Sequence, residues 1–367
     1  MNETIRNTDQ KPYRKPVRIF ENSGTVNPAE SYYVHLENVS NSQGQDIKTM
    51  VDRGRYFSMF APRQSGKSTF IEEIYNQLHQ HPTYLALKLD FQSYRNISKS
   101  AFYSEIERYF YRKLIDRLTD VKCENTDAIQ KFLSHHHLVD HISFKFLFDQ
   151  LNQLLPFKKM VVLIDEFEGT PVSELMNFLT VIRSLYQENK DVKQKALYSV
   201  GLVGLRDMTK LLVDDATPFD FADTIVLPPF SLKNVRDLYA QYSEETNQPF
   251  TDEAVKKIQA ETNGQTWLVN RLGTILTVNI KPGTIEPITE NDVDMAIERL
   301  LYESNAHFHN LFHQAKVYKD AFDRVISGDS PYMPENEDQR WLELYGLIKN
   351  ENGYAVIANN IYKKRFS

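Results

Sequence analysis

The sequence predicts an α/β protein: a three-layer α/β/α sandwich around a mostly parallel sheet. Up to about residue 230, short aromatic or β-branched runs alternate with longer stretches of helical spacing. Strands alternating with helices imply crossover connections and a sheet covered on both faces. The runs are mainly apolar, as strands buried on both faces require. Of the 367 residues 41% are hydrophobic and 25% charged, a globular composition that can bury a sizeable core in two or three domains.

In chain order, residues 1–24 are polar, with Pro12, Pro16 and Gly24, and read as an arm. Strands are expected at 56–60, 83–91, 160–165, 196–204 and, as a further short one, 223–230. Helices are expected at 68–78, where Phe70, Ile71, Ile74 and Leu78 share a side, and at 98–118, 143–155 and 173–189. Residues 119–141 are polar and read as irregular. After Pro228-Pro229 the pattern is helical only, broken at "TNQP", "TNGQT" and "KPGTIEP". A last piece starts near 302, with a helix at roughly 311–326, a loop carrying Gly328, Pro331 and Pro334, and a helix at 336–345. A hairpin around Asn350–Gly353 closes the pattern. The expected organisation is a lead-in (1–50), a core (51–230), a helical segment (231–301) and a C-terminal module (302–367).

The formal net charge of -6 gives no whole-molecule electrostatic signal for nucleic acid. A single cysteine, Cys123, excludes an intramolecular disulfide. The first residues, "MNETIRNTDQKPYRKP", lack the apolar stretch of a signal peptide, and no run approaches the ~20 apolar residues of a membrane span. These features are read as a cytoplasmic protein without a membrane partner.

The densest chemical signal is "APRQSGKST" (61–69), between an expected strand and an expected helix. A P-loop needs G-x-x-x-x-G-K-[ST] in that setting. Ala61 stands where the first glycine would be; the remainder conforms. Backbone N–H groups of the loop Ala61-Pro62-Arg63-Gln64-Ser65-Gly66 and of the helix start can face phosphate oxygens. Gly66 permits close approach, Lys67 reaches the β- and γ-phosphates, Ser68 ligates Mg²⁺, and Thr69 completes the motif. "VVLIDEFEG" (161–169) ends a strand in Asp165-Glu166, which suits a Mg²⁺-shell carboxylate followed by a base for the attacking water. A solvated acidic turn, with Glu168 close by, is the competing reading. "NKDV" (189–192) misses the guanine motif N-K-x-D at Val192, so ATP is favoured.

Other clusters carry less. Arg206 in "GLRD" (204–207) could sense phosphate charge from a strand end, or Asp207 could simply cap a helix. His137 and His141, with Asp140, have a zinc-like spacing but read as a polar surface insertion. "HFHNLFH" (307–313) reads as a core stripe of Phe308, Leu311 and Phe312 with solvated histidines. Arg271 could reach a nucleotide, and reads rather as a salt-bridge residue.

Taken in order, these stretches resemble the STAND class of P-loop ATPases and, more narrowly, its prokaryotic AAA-like group. The resemblance runs from "RIFENSGTVNPAESYYV" (18–34) through "APRQSGKST", "VVLIDEFEG", "GLRD", "LPPFSLKNV" and "GQTWLVN" to "VIANNIY". It implies an ATPase core, a helical lid and a winged-helix-like C-terminal module. It also implies Lys67 on phosphate, Ser68 and Asp165 on Mg²⁺, Glu166 as catalytic base, and Tyr32 and Tyr33 near the adenine. Thr266 replaces the proline of the group's G-Q-P-W lid motif, which suggests looser lid coupling. Members of the group act as switches in which ATP binding and slow hydrolysis alter lid position and self-association.

Two functions are therefore expected. One is an ATPase switch gating self-association or a protein partner. The other is a DNA-associated motor or loader reading DNA with its C-terminal module. The helix that would enter a groove, "ENEDQRWLELY" (335–345), carries four acids against Arg340. Such a face favours a protein contact over DNA. The nearest basic cluster is Lys363-Lys364-Arg365.

Overall fold

The structure is a computed structural model that describes residues 11–37, 39–155, 159–188, 195–205, 219–328 and 330–366. The chain divides into two compact units. One comprises Glu37–Ala61 and Lys67–Pro228; the other comprises Met1–Leu36, Pro62–Gly66 and Pro229–Ser367.

The first unit is built on β1 (Phe57–Phe60), β2 (Tyr84–Asp90), β3 (Lys159–Asp165), β4 (Leu197–Gly204) and β5 (Asp223–Val226). They form a five-stranded sheet in the order β2-β3-β4-β1-β5, parallel at every pairing. Parallel neighbours cannot be joined by tight turns. The connections accordingly carry α2 (Lys67–Gln80), α3 (Lys99–Asp120), α4 (Thr126–Leu133), α5 (His141–Leu154) and α6 (Val172–Glu188), after a short α1 (Ile47–Asp52). Local chemistry starts these helices where they start. Ser98 caps α3 by accepting from Ala101 N, and Asp140 forms a capping box with Ser143 at α5.

The register is what matters for function. Phe60 lies opposite Gly204, and Asp90 opposite Asp165. The carboxyl ends of β1, β3 and β4 therefore lie together in the middle of the sheet. Just beyond β3, residues Phe167–Gly169 make one 3₁₀ turn. Phe167 is fully buried and contacts the rings of Phe91 and Phe178 at 6.1 Å. At Gly169 a Cβ would lie 1.8 Å from the Phe91 carbonyl oxygen, so only glycine allows the turn to close on the end of β2.

α4 lies in the stretch read as irregular. Its buried contribution is only Ile129 and Leu133, one i,i+4 pair, too short a stripe to show as periodicity.

The second unit contains α7 (Leu232–Thr246), α8 (Asp252–Thr262), α9 (Thr266–Thr274) prolonged by a π turn (Ile275–Ile280), and α10 (Glu290–Leu301). The C-terminal elements follow: α11 (Ala306–Val317), α12 (Lys319–Ser327), α13 (Glu337–Leu344), the antiparallel hairpin β6 (Ile348–Glu351) and β7 (Tyr354–Ile357), and α14 (Asn360–Phe366). Helices followed by a hairpin are the order of a winged-helix-like module. The single helix expected at 311–326 is two, because Tyr318 leaves helical geometry at φ -107°, ψ 43° and stacks on Trp341.

The described part of the N-terminal stretch is not a solvated arm. Phe20 is 4% exposed and sits among Tyr32, Tyr239 and Tyr242, while Arg18 pairs with Glu245 at 3.0 Å. One aromatic anchor in a polar sequence gives no periodic signal.

Gly169→Ala is expected to cost about 1–3 kcal/mol, the range for overpacking. In urea titration the midpoint falls while the slope holds; an unchanged midpoint would show that the turn can yield.

Candidate functional site

The loop between β1 and α2 has a specific backbone shape. Gln64 has φ 56° and Gly66 φ 89°, whereas Ser65 between them is not in the left-handed region. Alternating handedness turns successive N–H groups toward one concave side, which is the geometry of an anion-binding nest. For Gly66 this conformation is free of steric cost; for Gln64 it is strained and must be held. Ser65 Oγ donates to the Pro62 carbonyl at 2.7 Å, closing the loop on itself.

Two further ties come from α9. Gln265 Nε2 donates to the Gln64 carbonyl at 3.3 Å, and Thr266 Oγ1 donates to the Ser65 carbonyl at 3.2 Å. Thr266 is the first residue of α9, a position that also accepts proline. Proline has no hydroxyl, so the replacement supplies a bond to the loop instead of loosening it.

Lys67 opens the 14-residue helix α2 and is 5% exposed; Ser68 and Thr69 are half-buried, and Arg63 is exposed. A phosphate at this helix start would meet the positive end of the helix dipole.

The carboxylates lie at the end of β3. Asp165 is 4% exposed, and its Oδ1 accepts the Glu166 N–H at 3.0 Å. Glu166 is half-buried and left-handed, φ 48° and ψ 46°. That is a strained conformation for a side chain of this size, of the kind found at functional sites. Glu168 is not a solvated acid: Oε1 accepts the Leu205 N–H at 2.9 Å, and Oε2 is buried without a hydrogen-bond partner among the described residues. The Ser68 hydroxyl and the Asp165 carboxylate are hard oxygen donors of the kind Mg²⁺ takes.

Other expected residues fall elsewhere. Arg206 and Asp207 lie outside the described residues. Tyr32 is 1% exposed, with its ring between Phe20 and Tyr242 and the Arg18 guanidinium 4.8 Å above it. Tyr33 keeps partial exposure, and its carbonyl accepts from Gln241 Nε2 at 2.8 Å. Arg271 forms a two-point salt bridge with Glu303, at 2.9 and 2.6 Å. His137 pairs with Glu107, and no group of three metal-ligating residues occurs among the described residues.

The histidine stripe needs correction. His307 is 6% exposed, while His309, His313 and Phe312 face solvent. The buried face runs 307, 308, 311, 314, 315, and His307 belongs to it. Its ring stacks on Trp267 at 4.2 Å and 16°, and its two nitrogens meet Gln64 Oε1 and Tyr362 Oη. The i,i+4 relation of His307 to Leu311 was the available signal.

No described helix is long and apolar enough to cross a membrane. The sequence model of the AAA-like domain family matches residues 21–367. No curated protein matches. Among solved structures, a Walker-type ATPase of Pyrococcus abyssi is 14% identical at a TM-score of 0.56, covering 90% of this chain and 98% of its own. The ORC2 protein of Aeropyrum pernix is 10% identical at a TM-score of 0.49, covering 86% and 87%. The RuvB Holliday junction branch migration motor of Thermotoga maritima is 12% identical at a TM-score of 0.42, covering 87% and 90%. The first of these likenesses concerns the fold alone, that of a P-loop ATPase.

Proposed function

We propose that this chain, which belongs to the AAA-like domain family, is an ATP-binding and hydrolysing switch whose nucleotide state gates self-association or a protein partner. The observation that carries the reading is the alternating backbone of Gln64, Ser65 and Gly66. In this reading the N–H groups of residues 63–69 and the Lys67 ammonium hold the phosphates. Ser68 and Asp165 hold Mg²⁺, which neutralises phosphate charge. Glu166 takes the proton of the attacking water. Arg206 is the candidate for sensing the γ-phosphate. Tyr33, with exposed surface left, is the candidate of its pair for the base; Tyr32 would act as its buried support.

A DNA motor is the second reading, and the charges around the C-terminal module speak against it. Glu337 and Asp338 occupy the first turn of α13, Leu342 is buried, and Trp341 is committed to Tyr318 and Tyr345. In the basic tail, Lys364 pairs with Glu261 at 2.9 Å, and Arg365 donates to the Glu303 carbonyl at 3.2 Å. Cations engaged in this way are less available to phosphates of a duplex.

Lys67→Ala should lose ATP binding with the fold intact by circular dichroism; unchanged affinity would remove the phosphate site. Glu166→Gln should bind ATP and turn over at least ~100-fold more slowly, the usual size of a general-base contribution. Asp165→Asn should instead weaken Mg²⁺-dependent binding. Turnover at the wild-type rate in Glu166→Gln would place water activation elsewhere.

Solution mass with and without ATP·Mg²⁺, with duplex DNA in a parallel sample, separates the two readings. The switch reading expects a nucleotide-dependent change of mass or partner and weak DNA binding. Tight DNA binding with a steep salt slope would promote the motor.

A further inference from the structure

His307 is a polar ring buried in the first turn of α11, and its two hydrogen-bond partners and the ring it stacks on belong to three other segments. Gln64 is in the phosphate loop, Trp267 in α9 and Tyr362 in α14. Trp267 is itself fixed, its Nε1 donating to the Asn22 carbonyl at 3.0 Å.

The protonation state follows from the partners. The oxygen of an amide only accepts, so Nδ1 facing Gln64 Oε1 carries the hydrogen. Nε2 then has a lone pair, and the Tyr362 hydroxyl 2.7 Å away donates to it. The ring is neutral, in agreement with burial pushing its pKa down to about 3.

The loop atoms held from this side are all on one flank. The carbonyls of Gln64 and Ser65 accept from Gln265 and Thr266, and the Gln64 side chain accepts from His307. Peptide groups are planar and trans. Fixing the carbonyls of 64 and 65 therefore points the N–H groups of 65 and 66 the opposite way, into the concave side of the loop. Gln64 is the strained residue of the arrangement, and its side-chain oxygen is the handle by which the strain is held.

We propose that His307 is a positioning residue for the phosphate loop, holding Gln64 in its left-handed turn and tying that shape through Tyr362 to α14. The inference rests on the nucleotide-site reading above and adds to it a route from loop to C-terminal helix. By linkage, a contact that favours the phosphate-binding shape must in turn be favoured by bound phosphate.

The test uses two replacements that divide the ring between them. In the full chain, His307→Asn retains a donor at the Nδ1 position, and His307→Gln retains an acceptor at the Nε2 position. Both lose the stack on Trp267, so a merely structural role predicts similar losses of melting temperature and of ATP affinity. The positioning role predicts that they separate. His307→Gln and Gln64→Ala bind ATP·Mg²⁺ roughly tenfold more weakly by calorimetry, the scale of one lost hydrogen bond, while His307→Asn stays within about twofold of wild type. Equal affinities for the Asn and Gln variants, or wild-type affinity in Gln64→Ala, would overturn the proposal. Lys67→Ala identifies the other failure: if wild type and Lys67→Ala bind ATP alike, the phosphate-site reading falls, and this inference with it.

Discussion

The rest of the arrangement depends on the backbone of residues 61–67. A turn from strand to helix can be made in many ways, but few direct consecutive N–H groups to one point. The alternation seen at Gln64, Ser65 and Gly66 does so at the cost of a left-handed glutamine. That cost explains the ties around the loop: the Ser65 hydroxyl on Pro62, Gln265 and Thr266 on the outer carbonyls, His307 on the side chain. An anion site made of main-chain dipoles works only if the dipoles are already in place when the anion arrives.

The carboxylate side obeys the same logic by different means. Asp165 and Glu166 sit where β3 ends, and the chain is then pulled into a tight turn. Phe167 buries its ring against Phe91 and Phe178, and Gly169 lies against the Phe91 backbone. Glu168 spans to the start of the segment after β4 through the Leu205 N–H. Apolar packing on one side of the turn and a carboxylate bond on the other leave the two leading acids little freedom. The left-handed Glu166 is held by neighbours that are this firmly placed.

Much of this was readable in the linear sequence, for a physical reason. The candidate phosphate motifs are local, since "SGKST" and "LIDE" are runs of consecutive residues, and buried strands announce themselves as apolar runs. What was not readable depends on distant partners. Nothing near position 307 says that its imidazole meets residues 64 and 362, and the neighbouring exposed histidines suggest the contrary. Thr266 looks like a loss when set against a proline and becomes a gain only when Ser65 is seen beside it. The aromatic cluster that buries Tyr32 likewise joins residues far apart in the chain. α4 escaped because two buried residues do not make a period.

The central claim is that the loop of residues 61–69 receives phosphate and that its shape is held in common with α9, α11 and α14. Amide hydrogen exchange on the intact chain, with and without ATP·Mg²⁺, tests it most directly. The account predicts slowed exchange at residues 64–69, accompanied by smaller slowing at 266–267, 307–308 and 361–362. Protection absent from 64–69 would contradict the phosphate site; protection there with unchanged exchange at the other three segments would contradict the shared hold on the loop.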